Sequence, residues 1–325
     1  MLAILFSTNV PHAYARQGAR IDTVRLLTIK SPDNQLIALK TGQVDFLPEL
    51  IRPADIEDLS SKGFLVSSTP GFHMGFVGFN LKRPYLSDVV VRHALFHGYN
   101  QYEIVASIYK YTVTPVQSLI PPSQGDWMST TMMKHPYDPP TVFSIMQDGG
   151  YGYYGTGYGD LSAYWTKDGV RLPTWAFLTP TFADAPTSFT LGAMIVADWH
   201  KCGFNNIIQV AIDYNAYTHK VFYDHDFDMF MIFFRLNRFP TQLYGLCYSG
   251  EYLHPGSDQA VGLNDPTLDA YVTTVRNSLD HNVAVSAAYA AQDYLYDTSH
   301  PQALCYMCLY SRVNFCAATT GLLGN

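Results

Sequence analysis

The chain has 325 residues, 48% of them apolar and 14% charged, which excludes a disordered polymer and leaves length for two lobes with a core in each. The formal net charge is −7 and Lys and Arg form no run, so the dense basic surface that nucleic acid demands is missing. The 24 Tyr and 19 Phe fit core and strand filling, and equally a stacking surface for a ligand.

Residues 2–6 are apolar and Ala13-Tyr14-Ala15 has the small-x-small pattern of a cleavage site, so residues 1–15 read as a weak signal peptide or the remnant of one. No later segment reaches the roughly 20 apolar residues that span a bilayer, so any membrane anchor is expected outside this chain. "IDTVRLLTIK" (21–30) reads as a strand. A helix follows, with Ser31 as cap, Pro32 in the first turn, Leu36 and Leu39 inward and Gly42 as the stop. "QVDFLPEL" is a strand, and a helix with Pro53 near its start ends at Gly63. "FLVSSTP" and "FHMGFVGFN" are two further strands. This alternation predicts a small α/β layer with a largely parallel sheet.

Beyond it, Ser87 opens a helix and "NQYEIVASIYK" adds a second. A Pro-rich passage leads to a helix that stops at Gly149-Gly150 and to a hairpin turning at Asp168-Gly169. A long helix over 187–202, the strand "NIIQVAIDY", the helix "NAYTHKVFYD" and the strand "FDMFMIFF" follow. Two helices near 266–279 and 283–296 lead into the strands "QALCYMCLY" and "RVNFCAA".

Most local motifs fail on their chemistry. "GGYGYYGTGYGD" follows a helix and no helix starts at its glycines, so it cannot cradle phosphate and reads as a surface loop. Asp224, Asp226 and Asp228 alternate like a calcium loop, but Met229 and Arg235 stand where that loop needs Gly and Glu. His93 and His97 share a helix face, yet "HALFH" lacks the Glu of a zinc hydrolase. Cys305 and Cys308 form a C-x-x-C in a β-prone segment, where they point to opposite faces; Cys316 on a following strand is the candidate to pair with one of them in an exported protein. No G-x-S-x-G is present. No catalytic residue, resident metal or cofactor is assigned, and the reading is of a protein that is not an enzyme.

A longer pattern is more specific. "VRLLTIKSPDNQLIALKTGQVDFLPEL" resembles the strand–helix–"sGevD" segment of extracytoplasmic solute-binding proteins of the peptide/nickel-type ABC importers (family 5). In "HMGFVGFNLKRPYLSDVVVRHALFHGYNQYEIV", Asn80, Pro84, Leu86, Asp88, Val91, Arg92, Ala94, Leu95, Ile104 and Val105 occupy the places of that family's "N…PPf.d..vRqAl..AiDr..iv" block. The later strand "FDMFMIFF", the two C-terminal helices and "LCYMCLYSRVNF" fit the family's closing elements. "RPADIEDLSSKGF" with "STPGFHMGFVGFN" looks most like archaeal members.

The resemblance implies an α/β, two-lobed fold of the type II periplasmic-binding-protein kind with an interlobe cleft, here without the family's extra N-terminal domain, as in a short form or a fragment. The expected lobes are 16–82 plus 283–325, and 83–282, with hinges near 80–84 and 282–284. The implied function is capture of an oligopeptide or similar solute for ABC permease subunits outside the cytoplasm, at the cell surface or on the membrane through regions outside this chain. Oligosaccharide and nickel or metal-chelate binding are the alternatives.

Peptide-binding members carry "W..DYpdP" after the apolar strand, where the Asp holds the peptide's ammonium. Here the stretch is Phe234-Arg235-Leu236-Asn237-Arg238-Phe239-Pro240, with Asn237 nearest the missing Asp. A neutral amide between two guanidiniums suits a carboxylate, a sugar hydroxyl or a carbonyl rather than an ammonium. The alternative is that the arginines are solvated or pair with Asp224 and Asp226. Phe234, Arg235, Asn237 and Arg238 are therefore candidate ligand contacts. Phe72 and His73 join them at the implied cleft wall, and Trp127 of the Pro-rich passage as a covering ring.

Overall fold

The structure, a computed structural model, describes residues 23–50, 52–110 and 112–323. The expected signal peptide lies outside the described residues. Short local rules account for most helices. α1 (Pro32–Lys40), α2 (Pro53–Ser61), α5 (Pro139–Asp148), α6 (Pro186–Lys201) and α9 (Pro266–Asn277) each begin on a proline, whose missing N–H costs nothing in a first turn. α3 (Val89–His97), α4 (Gln101–Tyr109), α7 (Tyr214–Phe222) and α10 (His281–Tyr296) are capped by Asp88, Asn100, Asp213 and Asp280, whose side chains accept the free N–H groups of the first turn. The cap of α3 is thus Asp88, one residue beyond the expected Ser87, and Ser31 makes no side-chain cap on α1. The short α8 (Thr241–Cys247) follows Pro240.

The strands are β1 (Phe46–Leu50), β2 (Leu65–Phe79), β3 (Val113–Pro115), β4 (Tyr151–Tyr154), β5 (Tyr164–Lys167), β6 (Val170–Arg171), β7 (Trp175–Pro180), β8 (Ile207–Ile212), β9 (Met229–Arg235) and β10 (Tyr306–Ala318). β4, β5 and β6 form a small separate sheet whose hairpin turns at Asp168 and Gly169, both at positive φ (53° and 77°). The main sheet has the order β1-β10-β2-β9-β7-β8, and β3 lies on the same edge of β10 as β1.

Several expectations need correction. The sheet is mixed, with antiparallel pairs β1·β10, β10·β2, β2·β9 and β10·β3, and only β7·β8 and β7·β9 parallel. β2 and β10 are single long strands where the sequence suggested two each, and α2 joins β1 to β2, which do not pair: β10 lies between them and is antiparallel to both. Residues 23–30 form no strand: Val24, Leu26 and Leu27 are exposed, with no neighbouring strand to pair with among the described residues. Residues 151–154 of the Gly/Tyr segment are the strand β4 rather than loop.

The apolar packing forms two clusters. A small one joins Leu36, Leu39, Leu47, Leu50 and Leu59 to Ala317, with Val66 and Phe315 against it. A large one contains Met74 to Phe79 of β2, most of α3 to α10, and Tyr306 to Tyr310 of β10. The chain crosses between the two clusters inside β2 and β10. Leu81 and Ala284, at the two expected hinges, are both packed in the large cluster.

All five cysteines are free thiols. Cys316 lies on the same strand as Cys308, eight residues on and about 26 Å away at about 3.3 Å per residue, beyond disulfide reach. Burial pushes the Cys305 and Cys308 thiols up to about 12, away from redox or ligand chemistry.

Candidate solute-binding cleft

β9 runs parallel to β7 and ends at Arg235, and the carboxyl ends of parallel strands are where α/β sheets take ligands. The antiparallel β2 brings its first half to the same end. His73 lies opposite Arg235 and Gly75 opposite Phe233; Tyr310 of β10 lies opposite Gly75. Period-two alternation then puts His73, Gly75, Phe233, Arg235, Tyr310 and Arg312 on one face. They line a hollow of about 260 Å³, together with Met74 and Phe234.

Gly75 makes the floor possible. A Cβ there would sit 2.1 Å from Cε1 of Phe233, so the ring lies across the bare glycine. Phe233 packs beside Tyr310 with 5.2 Å between ring centroids, and the Tyr310 hydroxyl is hydrogen-bonded to that of Tyr109. The rim is cationic. Burial first, then the Arg312 and Arg235 guanidiniums, lower the pKa of His73, with Glu49 opposing weakly. His73 Nδ1 is buried with no hydrogen-bond partner.

The alternative partners of the arginines are otherwise engaged. Asp224 bonds His219, and Asp226 bonds Arg83 and Lys220. Among the described residues, neither Arg235, Arg238 nor Arg312 forms an ion pair, and all three are exposed.

After β9 the chain turns away. Leu236 is buried and donates its N–H to the carbonyl of Phe72 at 2.7 Å. Gln124 Nε2 donates to the carbonyl of Asn237 at 2.8 Å, and the amides of Gln124 and Gln242 pair with each other. The loop is thus held in place by buried amides. Asn237 directs its amide toward Thr241 Oγ1 at 3.4 Å. Beyond it lies a second hollow of about 570 Å³, lined by Trp127, Phe239, Tyr244, Arg276, Leu279 and His281 among others. Trp127 meets His281 edge-on at 5.1 Å and Phe239 at 6.4 Å, and Arg276 lies over the Tyr244 ring at 4.1 Å.

The expected site residues therefore separate. His73, Phe234 and Arg235 share the first hollow, and Trp127 lines the second. Phe72, Asn237 and Arg238 line neither; Phe72 contributes its carbonyl to the loop, while Asn237 and Arg238 are exposed on it. Sequence reasoning missed Arg312, Tyr310 and Phe233, and the rings of the second hollow other than Trp127. Alternation along "YSRVNF" places Tyr310 and Arg312 on one face, but their position opposite β2 is a matter of register between strands far apart in the chain.

The residues behind the sequence block proved to be framework. Arg92 is fully buried and donates to the carbonyls of Ala303, Leu86 and Pro301. Asn80 Nδ2 donates to the carbonyl of Phe227, and Asp88 both caps α3 and accepts from the Tyr151 hydroxyl.

A mixed sheet that opens the end of a parallel strand on an aromatic, cationic hollow, beside two strands shared by two packing clusters, defines a type II periplasmic-binding-protein-like fold. A sequence model described as "Bacterial extracellular solute-binding proteins, family 5 Middle" matches residues 7–249, and the chain belongs to this family. It is 22% identical over 279 residues to the dipeptide-binding protein of Escherichia coli, an alignment covering 86% of this chain and 48% of that protein. NikZ from Campylobacter jejuni, solved in complex with Ni(L-His), superposes with a TM-score of 0.67 at 17% identity, over 90% of this chain and 55% of NikZ. The oligopeptide-binding protein AppA from Bacillus subtilis, solved with a nonapeptide, gives 0.67 at 15% identity, over 89% and 54%. The chain thus spans about half the length of the relatives it matches. The Escherichia coli and Bacillus subtilis relatives are binding proteins. Among the described residues no helix is long and apolar enough to cross a membrane.

Proposed function

We propose that this chain is the solute-capturing part of an ABC importer's binding protein. It takes an oligopeptide or similar carboxylate-bearing solute at the carboxyl end of β9 and works outside the cytoplasm with permease subunits, without catalysing a reaction. The observation that carries this reading is the pair of exposed guanidiniums, Arg235 and Arg312, without ion pairs and on either side of His73, above the rings of Phe233 and Tyr310. Such a rim favours an anion by charge-assisted hydrogen bonds, and rings beneath it accept apolar side chains. A hollow of about 260 Å³ is small beside the roughly 300–1,000 Å³ of a whole ligand site, which suits the anchoring of one end of a longer solute. The names of the relatives above support peptides as the first class to try.

The test is a thermal-shift screen of the full chain against short peptides and neutral oligosaccharides. Binding to the native state raises Tm. Peptides should raise it, and Arg235→Ala with Arg312→Ala should abolish the rise. A shift with neutral glycans alone would overturn the reading.

A further inference from the structure

His93 and His97 lie one helical turn apart on α3, and the segment between Trp127 and α5 brings His135 against them. The ring centroids are 5.0 Å (His93–His97), 5.0 Å (His93–His135) and 5.6 Å (His97–His135) apart. One nitrogen from each of the three lies within 4.8 Å of the others, and His93 Nε2 to His97 Nε2 is 3.2 Å. A tetrahedral ion with bonds of about 2.0–2.1 Å needs ligand nitrogens about 3.3 Å apart; the His93–His97 edge has about that length, and the His135 nitrogen, within 4.8 Å of both, would draw in to complete the face.

The outer partners settle which nitrogens are free. His97 Nδ1 lies 2.6 Å from the carbonyl of Pro136, and His135 Nε2 lies 2.9 Å from the carbonyl of Tyr296. A carbonyl only accepts, so both of those nitrogens carry protons. In neutral rings, His97 Nε2 and His135 Nδ1 are then lone pairs; His97 Nε2 accepts from His93 Nε2–H in the metal-free protein, and an ion taking that place would move the His93 proton to Nδ1, with the backbone carbonyls orienting the other two imidazoles. Burial keeps the rings neutral: it lowers all three pKa values, His93 and His135 to about 4. His97 and His135 are buried while His93 is partly exposed, which leaves a fourth position toward solvent. No carboxylate belongs to the cluster, so calcium and magnesium lack their oxygen ligands, and three imidazoles select a borderline ion such as zinc or nickel.

We propose that His93, His97 and His135 form a resident site for a divalent transition-metal ion of the zinc or nickel class, clamping α3 to the 128–138 segment. None of the three lines either hollow, so the site is separate from the one proposed for solute and does not rest on that reading. The clamp also reaches α10, through the carbonyl of Tyr296 held by His135.

The test uses the full chain, stripped with a chelator and titrated with zinc(II) or nickel(II) alone by calorimetry, with cobalt(II) absorption in parallel. The proposal expects one ion per chain, a rise in Tm and the intense visible bands of tetrahedral cobalt(II). His93→Gln, at the most exposed ligand, should weaken binding at least tenfold while leaving the metal-free melting curve in place; His135→Gln should do the same where it folds. Arg235→Ala should leave the affinity unchanged. No heat and no shift in excess ion, or wild-type affinity in folded His93→Gln, would overturn it.

Discussion

Arg92 illustrates how a side chain can mark a family without touching a ligand. Its guanidinium is sealed in the core and meets no carboxylate; Nε and Nη2 donate to the carbonyl of Ala303 at 2.9 and 2.6 Å, Nη1 to Leu86 and Nη2 also to Pro301, both at 2.6 Å. The fork ties α3 to the passage before β10. Arg92→Met would leave three buried acceptors unpaired at about 1–3 kcal/mol each, so urea denaturation should register a loss of about 3 kcal/mol or more. A loss under about 0.5 kcal/mol would contradict that role. His73 makes a prediction of opposite character. In the solute-free protein, burial and then Arg312 and Arg235 hold its pKa below the ordinary 6.5. An anion between the arginines offsets their repulsion and raises it, so binding takes up protons as pH falls through the interval between the two values. Affinity for a carboxylate solute should therefore be tighter at about pH 5.5 than at about pH 7.5, and His73→Gln should flatten the profile. A profile that weakens toward acid would count against His73 facing the solute.

At the scale of elements, what was legible was local. Pro32 and Pro53, which open α1 and α2, act within one turn, so residues a few positions apart suffice to read them; the Asp and Asn caps of α3, α4, α7 and α10 are as local but were not singled out. The sheet is different. His73 and Arg235 meet because β2 pairs with β9, and Arg312 joins them through β10, and no local pattern encodes such a register. The apolar alternation of 21–30 suggested a strand that finds no neighbour in 23–30, and α8 was missed because seven residues after a proline carry little periodicity. His135 was invisible for the same reason as Arg312: only the fold brings it to α3. β2 and β10 also carry the crossing between the two packing clusters; one register shift falls between 308 and 310, and a second where β2 passes residues 70–74 and β10 passes 311–313. Gly71 sits there. A Cβ would lie 2.7 Å from Asn314 Oδ1 and 2.8 Å from the carbonyl of Arg312, which is backbone and cannot swing away. Gly71→Val should cost about 1–3 kcal/mol, and hydrogen exchange should quicken in 46–66 while 229–235 stays protected. Equal quickening in both stretches would mean that the crossing is not a separate point of yielding.

For the whole molecule, the two clusters are unequal. The small one rests on α1, β1, α2 and the outer halves of β2 and β10, and the large one on nearly everything else. Two strands that run through both are the connections a hinge needs, because small changes in φ and ψ spread along them move one cluster against the other. The cationic hollow is built from these two strands and β9, next to that crossing, so a solute held by Arg235 and Arg312 would be sensed where closure begins. Asn237 stands nearest the Asp that the resemblance to peptide-binding members would call for, while the guanidiniums of the hollow are Arg235, two residues earlier at the end of β9, and Arg312 on β10. The proposed role turns on recognition of a solute's carboxylate. Calorimetry of the full chain with a short peptide bearing a free C-terminal carboxylate, and with the same peptide as its amide, tests it directly. The acid should bind, and the amide at least about tenfold more weakly, since a hydrogen bond to a charged group is worth about 1.5–3 kcal/mol. Equal affinity for acid and amide, or an amide that binds more tightly, would contradict it.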